Sequence, residues 1–453
     1  AGLGAARGRH LLRAFRHANY RLFFAGQLVS LVGTFLSQVA IAWVVYSVYH
    51  SPAALGVVLF CGQIPLLVVS PFAGVFADRV NRQRLLVVTQ ALSALQSAAL
   101  GYLAFTGGLD LTAVALLALA QGLINAFDMP ARQAFLTEMV TDPADLPNAI
   151  ALNSTMVHAA RLVGPAAGGL LLAAVGAGWC FSIDAASYVA VIGSLLLMRV
   201  TPRTRKPSGK GVLHDLYEGL AYAWGNRPMR ALLLLMATLS LAGMPALSTL
   251  VPVFAEHFAG GDDRAGSAVL GFLMAASGAG ALCGAVQLAG RRSVVGLGGV
   301  ICLASVAFGA GLVAFSFAQT LWVGLLVIPV CGWAMLMNFA SANTLLQTLS
   351  DEDKRGRVMS LFTIAFLGVA PLGNLLAGRI AGWVSQAHGG GQAGNLSGAA
   401  ITLRLCGGVC VAAGLVFLAK LPALRRAVRP VYERMGIIPP REVRPLATSG
   451  EGP

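Results

Sequence analysis

Long apolar runs, each close to the length of a membrane-spanning helix, alternate along this 453-residue chain with short segments that hold most of its charge. Crossing a hydrocarbon core roughly 30 Å thick takes about 20 apolar residues in an α-helix. Runs of that kind are predicted at 20–47, 54–77, 85–106, 112–132, 149–174 and 179–199, and again at 229–256, 267–289, 293–317, 321–347, 358–384 and 398–420. They are continuous and lack the period-two alternation of barrel strands. Backbone groups in lipid have no water to bond, so helices remain. The predicted fold class is an all-α integral membrane protein with twelve transmembrane helices in two pseudo-symmetric six-helix bundles. Its divisions are an N-terminal segment 1–19, a first bundle 20–199, a polar linker 200–228, a second bundle 229–420 and a tail 421–453.

Composition strengthens this reading. At 57% hydrophobic and 11% charged residues, the chain is too apolar for a soluble domain of its length. The net charge of +14 raises nucleic acid as a partner, and the placement of the charge removes it. With both termini cytoplasmic, the inner segments collect Arg7, Arg9, Arg13 and Arg16, then Arg79, Arg82, Arg84 and Arg132. They also collect the linker cluster Arg203, Arg205, Lys206 and Lys210, then Arg291, Arg292, Lys354, Arg355 and Arg357, and finally Lys420, Arg425, Arg426 and Arg429. Arg264 falls in an outer loop, and Trp179, Trp322 and Trp383 fall at outer span ends, as the positive-inside rule and an interfacial aromatic belt require. The expected location is a bacterial inner membrane. Segment 214–224 has helical apolar spacing and either lies flat on the inner surface or serves as a plain connector. A displacement of about 206 residues superposes Pro165 on Pro371, as a duplicated fold would. The seven cysteines lie inside apolar runs without metal-ligand spacing, and no phosphate-binding loop or nucleophile set occurs. No enzyme activity, cofactor or metal is expected.

The turn between spans 2 and 3 reads Gly74-Val-Phe-Ala-Asp78-Arg79-Val-Asn-Arg82-Gln-Arg84. Gly74 permits close helix approach, Asp78 can accept from arginines or a helix N-terminus, and Arg82 and Arg84 can reach acids across the boundary between the halves. A purely topogenic loop explains the arginines but not Asp78 and Gly74 at this spacing. The pattern resembles the signature of the major facilitator superfamily: glycine, three residues, Asp-Arg, two residues, arginine, one residue, basic. Asn81 stands where that signature has glycine. The resemblance covers nearly the whole chain and is nearest to the bacterial branch of drug-efflux and enterobactin-exporter-like proteins. Asp128-Met-Pro130-Ala-Arg132, Asp184-Ala-Ala-Ser187 and Arg355-Gly-Arg357-Val-Met-Ser360 are also similar to that branch. The resemblance implies alternating access through an inner gate, with Asp78 against the start of span 11 and the loop arginines against Asp128 when the outward-facing state is formed. Gly74, Arg79, Arg132, Arg355 and Arg357 complete the implied gate.

In span 5, Arg161-Leu-Val-Gly164-Pro165-Ala-Ala-Gly168-Gly169 resembles the glycine-proline motif of family antiporters, which implies export. One departure concerns proton coupling: the family's span-4 arginine is replaced by Ala118, three residues before Gln121-Gly122. Ionisable groups at membrane depth cost about 2.5–3.5 kcal/mol each, so each needs a partner or a role. Arg161 and Asp184 are expected to pair within the first bundle, either as a structural clamp or with Asp184 as a titrating acid. His158, one turn before Arg161, either joins a relay or packs.

The resemblance implies that spans 1, 4, 7 and 10 line the pathway. Gln27, Ser30, Thr34 and Gln38 share one face of span 1, and Asn125 and Asn338 are further cavity candidates. A pathway poor in acids favours a neutral, zwitterionic or anionic small molecule. The leading expectation is a monomeric secondary exporter of a small hydrophobic or amphipathic molecule, driven by proton antiport. The alternatives are a siderophore exporter, an uptake or lysolipid carrier, and a sensor or scaffold that no longer transports.

Overall fold

A computed structural model describes residues 13–200, 212–291 and 293–435, with Pro439. The first bundle comprises α1 (Ala18–Tyr49), α2 (Pro52–Arg79), α3 (Arg82–Thr106), α4 (Leu111–Met139), α5 (Leu146–Val175) and α6 (Ala177–Leu197). The linker forms α7 (Val212–Gly225). The second bundle comprises α8 (Arg227–Phe258), α9 (Asp263–Ala289), α10 (Leu297–Phe315), α11 (Leu321–Leu349), α12 (Arg355–Ala387) and α13 (Gly391–Arg434). All but α7 are long and apolar enough to cross a membrane, twelve in total among the described residues. The inner face is taken as the one bearing the α2–α3 turn and α7, and the outer face as its opposite.

Polar residues between the apolar runs set the helix starts by accepting from free backbone N–H groups. Ser51 accepts from Ala54, Asn81 from Arg84, Asp110 from Ala113 and Asn226 from Met229. Two π-helical turns, Leu239–Gly243 in α8 and Ile364–Gly368 in α12, precede Pro245 and Pro371. A proline removes one ladder hydrogen bond, and a widened turn accommodates the loss. The two turns face each other, with the Ser240 hydroxyl donating to the Phe366 carbonyl.

Three predicted boundaries shift. The twelfth run extends on both sides, so that α13 continues to Arg434 and takes up part of the expected tail. α2 and α4 run through to Arg79 and Met139, which places Asp78 on a helix and not in the loop, and Arg132 inside its helix and not at its end. The linker helix α7 docks on the start of α12: Glu218 pairs with Arg357 at 2.9 Å, and the Tyr222 hydroxyl donates to Asp351 at 2.8 Å. Arg7, Arg9, Arg203, Arg205, Lys206, Lys210, Arg292 and the Asp78 side chain lie outside the described residues.

The bundles meet along two seams, α5 against α9 and α2 against α12. Both are built from glycines that let backbones touch. A Cβ on Gly271 would lie 2.5 Å from the Pro165 carbonyl oxygen and 2.8 Å from the Gly169 Cα. In the other seam, a Cβ on Gly56 would lie 2.5 Å from the Asn374 carbonyl oxygen, and one on Gly378 would lie 2.6 Å from that of Pro52. The 206-residue displacement thus relates prolines that each sit on a seam helix.

At the inner end, Asp145 anchors the residues preceding α1. Arg16 Nη2 and His17 Nε2 lie 2.6 and 3.0 Å from its Oδ2, and Asn148 accepts from the Ala14 amide. The hydrogen bond from Arg16 holds the Asp145 carboxyl below the ordinary carboxylate range. A depressed folded-state pKa gives stability that is complete above the unfolded value of about 3.9 and is lost as pH falls through the folded value. Asp145→Asn is therefore expected to lower the unfolding temperature at pH 7. It should also flatten the acid limb below about pH 4, checked by thermal unfolding across that range.

Candidate functional site

A cavity of about 300 Å³ lies between the bundles, within the range of small-molecule sites. Thr34 and Gln38 of α1, Gln63 of α2 and Asn125 of α4 give it polar patches, while Ile41, Leu59, Leu270 and Met274 give apolar wall. Among the described residues, Asp184 of α6 is its carboxylate and no lysine, arginine or histidine lines it. The lining takes only the outer half of the predicted α1 stripe. Gln27 and Ser30 are buried below it, where Gly26 packs on Ser194 of α6. Asn338 does not face the cavity either: it is buried, accepts from Ser305 at 2.9 Å and donates to the Ala334 carbonyl.

The expected Arg161–Asp184 pair is absent, because α1 stands between the two side chains. Gly33 of α1 lets α6 approach, and a Cβ there would lie 2.6 Å from the Ser187 hydroxyl. Asp184 lies against α3, whose Ser97 hydroxyl donates to Oδ2 at 2.7 Å, while Oδ1 is buried without a well-formed hydrogen bond, with the Ser37 hydroxyl of α1 near the carboxyl. On the other side of α1, Gly164 and Gly168 of α5 pack on Phe35 and Leu36. Arg161 sits 5.8 Å from the centre of the Phe35 ring, exposed, and makes no ion pair among the described residues. Helix rise places it about 10 Å nearer the inner face than Asp184. His158 Nδ1 is buried without a partner. The glycine-proline motif thus does two jobs: Gly164 and Gly168 bring α5 onto α1, and Pro165 and Gly169 form the seam with α9.

Asp128 receives hydrogen bonds from Thr89 and Gln90 of α3, each at 2.8 Å, and pairs with Arg132 one turn along its own helix. Arg82 does not reach it and pairs with Glu138 at 2.5 Å. The antiparallel register of α3 and α4 explains this: Thr89 lies about 10 Å from Arg82 along the axis, and Glu138 faces the end that Arg82 occupies. Arg79 and Arg84 are exposed, and a Cβ on Gly74 would meet nothing within 4 Å, so no helix closes on that glycine. Arg355 is half-buried in the first turn of α12, beside Arg357. Thr89, Gln90, Ser93, Gln96 and Ser97 form a buried polar stripe on one face of α3, of which Gln96 and Ser97 line the cavity; it is not among the expected site residues, although its spacing marks one face.

Among the described residues, hydrogen bonds and ion pairs that tie one bundle to the other include a cluster at the outer face around Glu256 of α8. Its carboxylate accepts from the Tyr46 hydroxyl at 2.7 Å and pairs with His50 Nδ1 at 2.9 Å, and Gln392 donates to it at 3.0 Å. His50 caps α1 in the left-handed region, φ 42°, and its carbonyl accepts from Asn395 at 2.5 Å. Nearer mid-depth, Asn374 donates to Gln63 at 3.4 Å and accepts from Ser248 at 2.8 Å. The outer end is thereby clasped shut. Glu256→Ala strands the buried Tyr46 hydroxyl and removes a half-exposed ion pair. It is expected to weaken outer closure by about 1–2 kcal/mol, roughly five- to thirty-fold. Glu256→Gln should do less, and outer-face accessibility to a membrane-impermeant thiol reagent reads both.

The profile of the transmembrane secretion effector family matches residues 11–428, from before α1 almost to the end of α13. The chain belongs to that family. It is a multi-pass efflux or secretion transporter of the major facilitator type, and the family consists of transporters rather than enzymes. Within curated relatives, it is 27% identical over 367 residues to the multidrug efflux pump Tap of Mycolicibacterium fortuitum, spanning 80% of this chain and 88% of Tap. It is 26% identical to the staphyloferrin A transporter of Staphylococcus aureus, spanning 79% and 88%, and 25% identical to the enterobactin exporter EntS of Shigella boydii, spanning 79% and 85%. The fold is that of the nucleoside transporter NupG, with a TM-score of 0.69 at 14% identity over 89% of this chain and 99% of NupG. It is also that of a bacterial homologue of the human lysosomal transporter Spinster in an inward-facing, unoccupied conformation, with a TM-score of 0.68 at 16% identity over 91% and 98%.

Proposed function

We propose that this secretion-effector transporter exports a small amphipathic molecule from the cytoplasm in exchange for protons, with Asp184 as the proton carrier. The observation that carries the reading is the Oδ1 of Asp184, buried in the cavity wall without a well-formed hydrogen bond and without a cation beside it. An ionised carboxylate at membrane depth is costly without a partner. A proton on Oδ1 removes that cost, so cargo and proton have reason to exclude one another from the same wall. Arg161 lies outside the cavity lining, nearer the inner face, and the mixed wall suits a molecule with an apolar body and separated polar ends. The basic inner segments favour an inner face in the cytoplasm of a bacterial cell. A single chain surrounds the cavity, in keeping with a monomer. The relatives named for staphyloferrin A and enterobactin favour a siderophore as a second reading of the cargo.

The test is reconstitution in vesicles carrying an internal pH dye, with a panel of amphipathic drugs and iron-free siderophores. A transported compound should drive proton movement opposite to its own. Cargo movement without proton movement refutes the coupling, and no movement across the panel refutes the export reading.

A further inference from the structure

The last membrane helix is far longer than the bilayer requires. α13 has 44 residues, about 66 Å at 1.5 Å per residue, against a hydrocarbon core of roughly 30 Å. Beyond Lys420 it is amphipathic: Leu421, Leu424, Val428 and Tyr432 are buried or half-buried, while Arg425, Arg426 and Arg429 are exposed. Between this apolar side and the inner ends of α8, α10 and α11 lies a second cavity of about 380 Å³. Leu232, Leu345, Leu349 and Phe417 wall it, and among the described residues only Arg425, Arg429 and Tyr432 bring polar side chains to its lining.

Positive charge gathers at the rim, where Glu433 is the carboxylate paired with it among the described residues. Arg425 Nη2 lies 3.6 Å from where a Cβ of Gly299 would stand, and Arg291 Nη2 lies 3.4 Å from that of Gly296, so two guanidiniums flank the first turn of α10. No acidic residue occupies that turn, and the N-terminal end of the helix dipole adds positive potential. Arg425 makes no ion pair among the described residues, while Arg429 shares Glu433 at 2.7 Å. The chamber sits at the inner ends of α8, α10 and α11, where apolar spans of this length would bring it to the lipid headgroups. An anionic head on an apolar chain complements both of its parts, and neither cytoplasmic phosphate nor a neutral lipid does.

We propose that this chamber binds an anionic phospholipid of the inner leaflet. The phosphate bridges Arg425 and Arg429, and the upper part of one acyl chain lies among Leu345, Leu349 and Phe417. Such a lipid fastens the extension of α13 to the inner end of the second bundle. This proposal does not depend on the cargo or the coupling ion.

The test uses the full chain in nanodiscs of phosphatidylcholine with or without phosphatidylglycerol. Retained lipid is counted by native mass spectrometry, and unfolding temperature is followed in parallel. Wild type should retain phosphatidylglycerol in preference to phosphatidylcholine and unfold at a higher temperature in its presence. The double substitution Arg425→Gln with Arg429→Gln should reduce that preference about thirty-fold, the effect of two arginines on an anionic headgroup. Val428→Trp keeps every charge but fills the chamber, and it should also abolish the preference. If Val428→Trp retains phosphatidylglycerol as wild type does, the arginines act only as a diffuse basic surface and the proposal fails. It fails equally if wild type retains the two lipids alike, or if inorganic phosphate alone reproduces the rise in unfolding temperature.

Discussion

Gly271→Ala should separate the two bundles at their outer ends. The added methyl meets the backbone of α5 at Pro165 and Gly169, which cannot turn aside as a side chain would. Overpacking of this kind costs about 1–3 kcal/mol. Alanine also favours helix over glycine by as much as about 1 kcal/mol, but that gain is common to both conformations and leaves their ratio unchanged. The outer-closed population should therefore fall by roughly five- to 150-fold relative to the outer-open one. Gly56→Ala should act alike in the α2–α12 seam, where its methyl meets the Asn374 carbonyl. Gly74→Ala is the control, since its methyl meets nothing. Spin labels at the exposed Thr106 and Gln319, on opposite bundles at the outer face, read the distance once the seven native cysteines are replaced. An unchanged distance distribution in Gly271→Ala would remove the seam from any account of closure.

The architecture was legible because the membrane imposes it: each span needs a continuous apolar run, and the loops between must carry the charge. The twelve predicted runs fall on the twelve membrane helices, and the extra length of α13 escaped because arginines can remain helical after a helix leaves lipid. Partnerships were harder to read. Arg161 and Asp184 were the charges at depth, and pairing them satisfied a one-dimensional rule. Gly33 and Gly164 instead use opposite sides of α1 to hold them apart. With the outer end closed, Arg82 pairs with Glu138, a partner set by the register of antiparallel neighbours, which spacing within one helix does not reveal. The outer clasp was hidden for a different reason. Tyr46, His50 and Glu256 are ordinary residues at span ends, and only the closure of the bundles brings them together.

Asp184→Asn should leave the protein abundant in the membrane and abolish proton movement, while cargo still exchanges down its own gradient. Asparagine keeps the carboxylate's shape, and its carbonyl oxygen can still accept from Ser97, so the contacts of α6 with α1 and α3 persist. What it cannot do is gain or lose a proton, and proton-driven accumulation should fall to the level of empty vesicles. Cargo exchange in the variant should also lose its pH dependence, because the cavity lining offers no other carboxylate or histidine. Asp184→Leu is expected to be worse in kind: it leaves the Ser97 hydroxyl buried without its acceptor, at about 1–3 kcal/mol, and so lowers abundance as well. Arg161→Gln separates the two roles. With about 10 Å of depth and the whole of α1 between the side chains, its loss should alter the affinity for cargo and leave the number of protons exchanged per cargo as in wild type. Should Arg161→Gln and Asp184→Asn instead uncouple transport alike, the two groups act as a pair in some other conformation, and Asp184 is not an independent proton carrier.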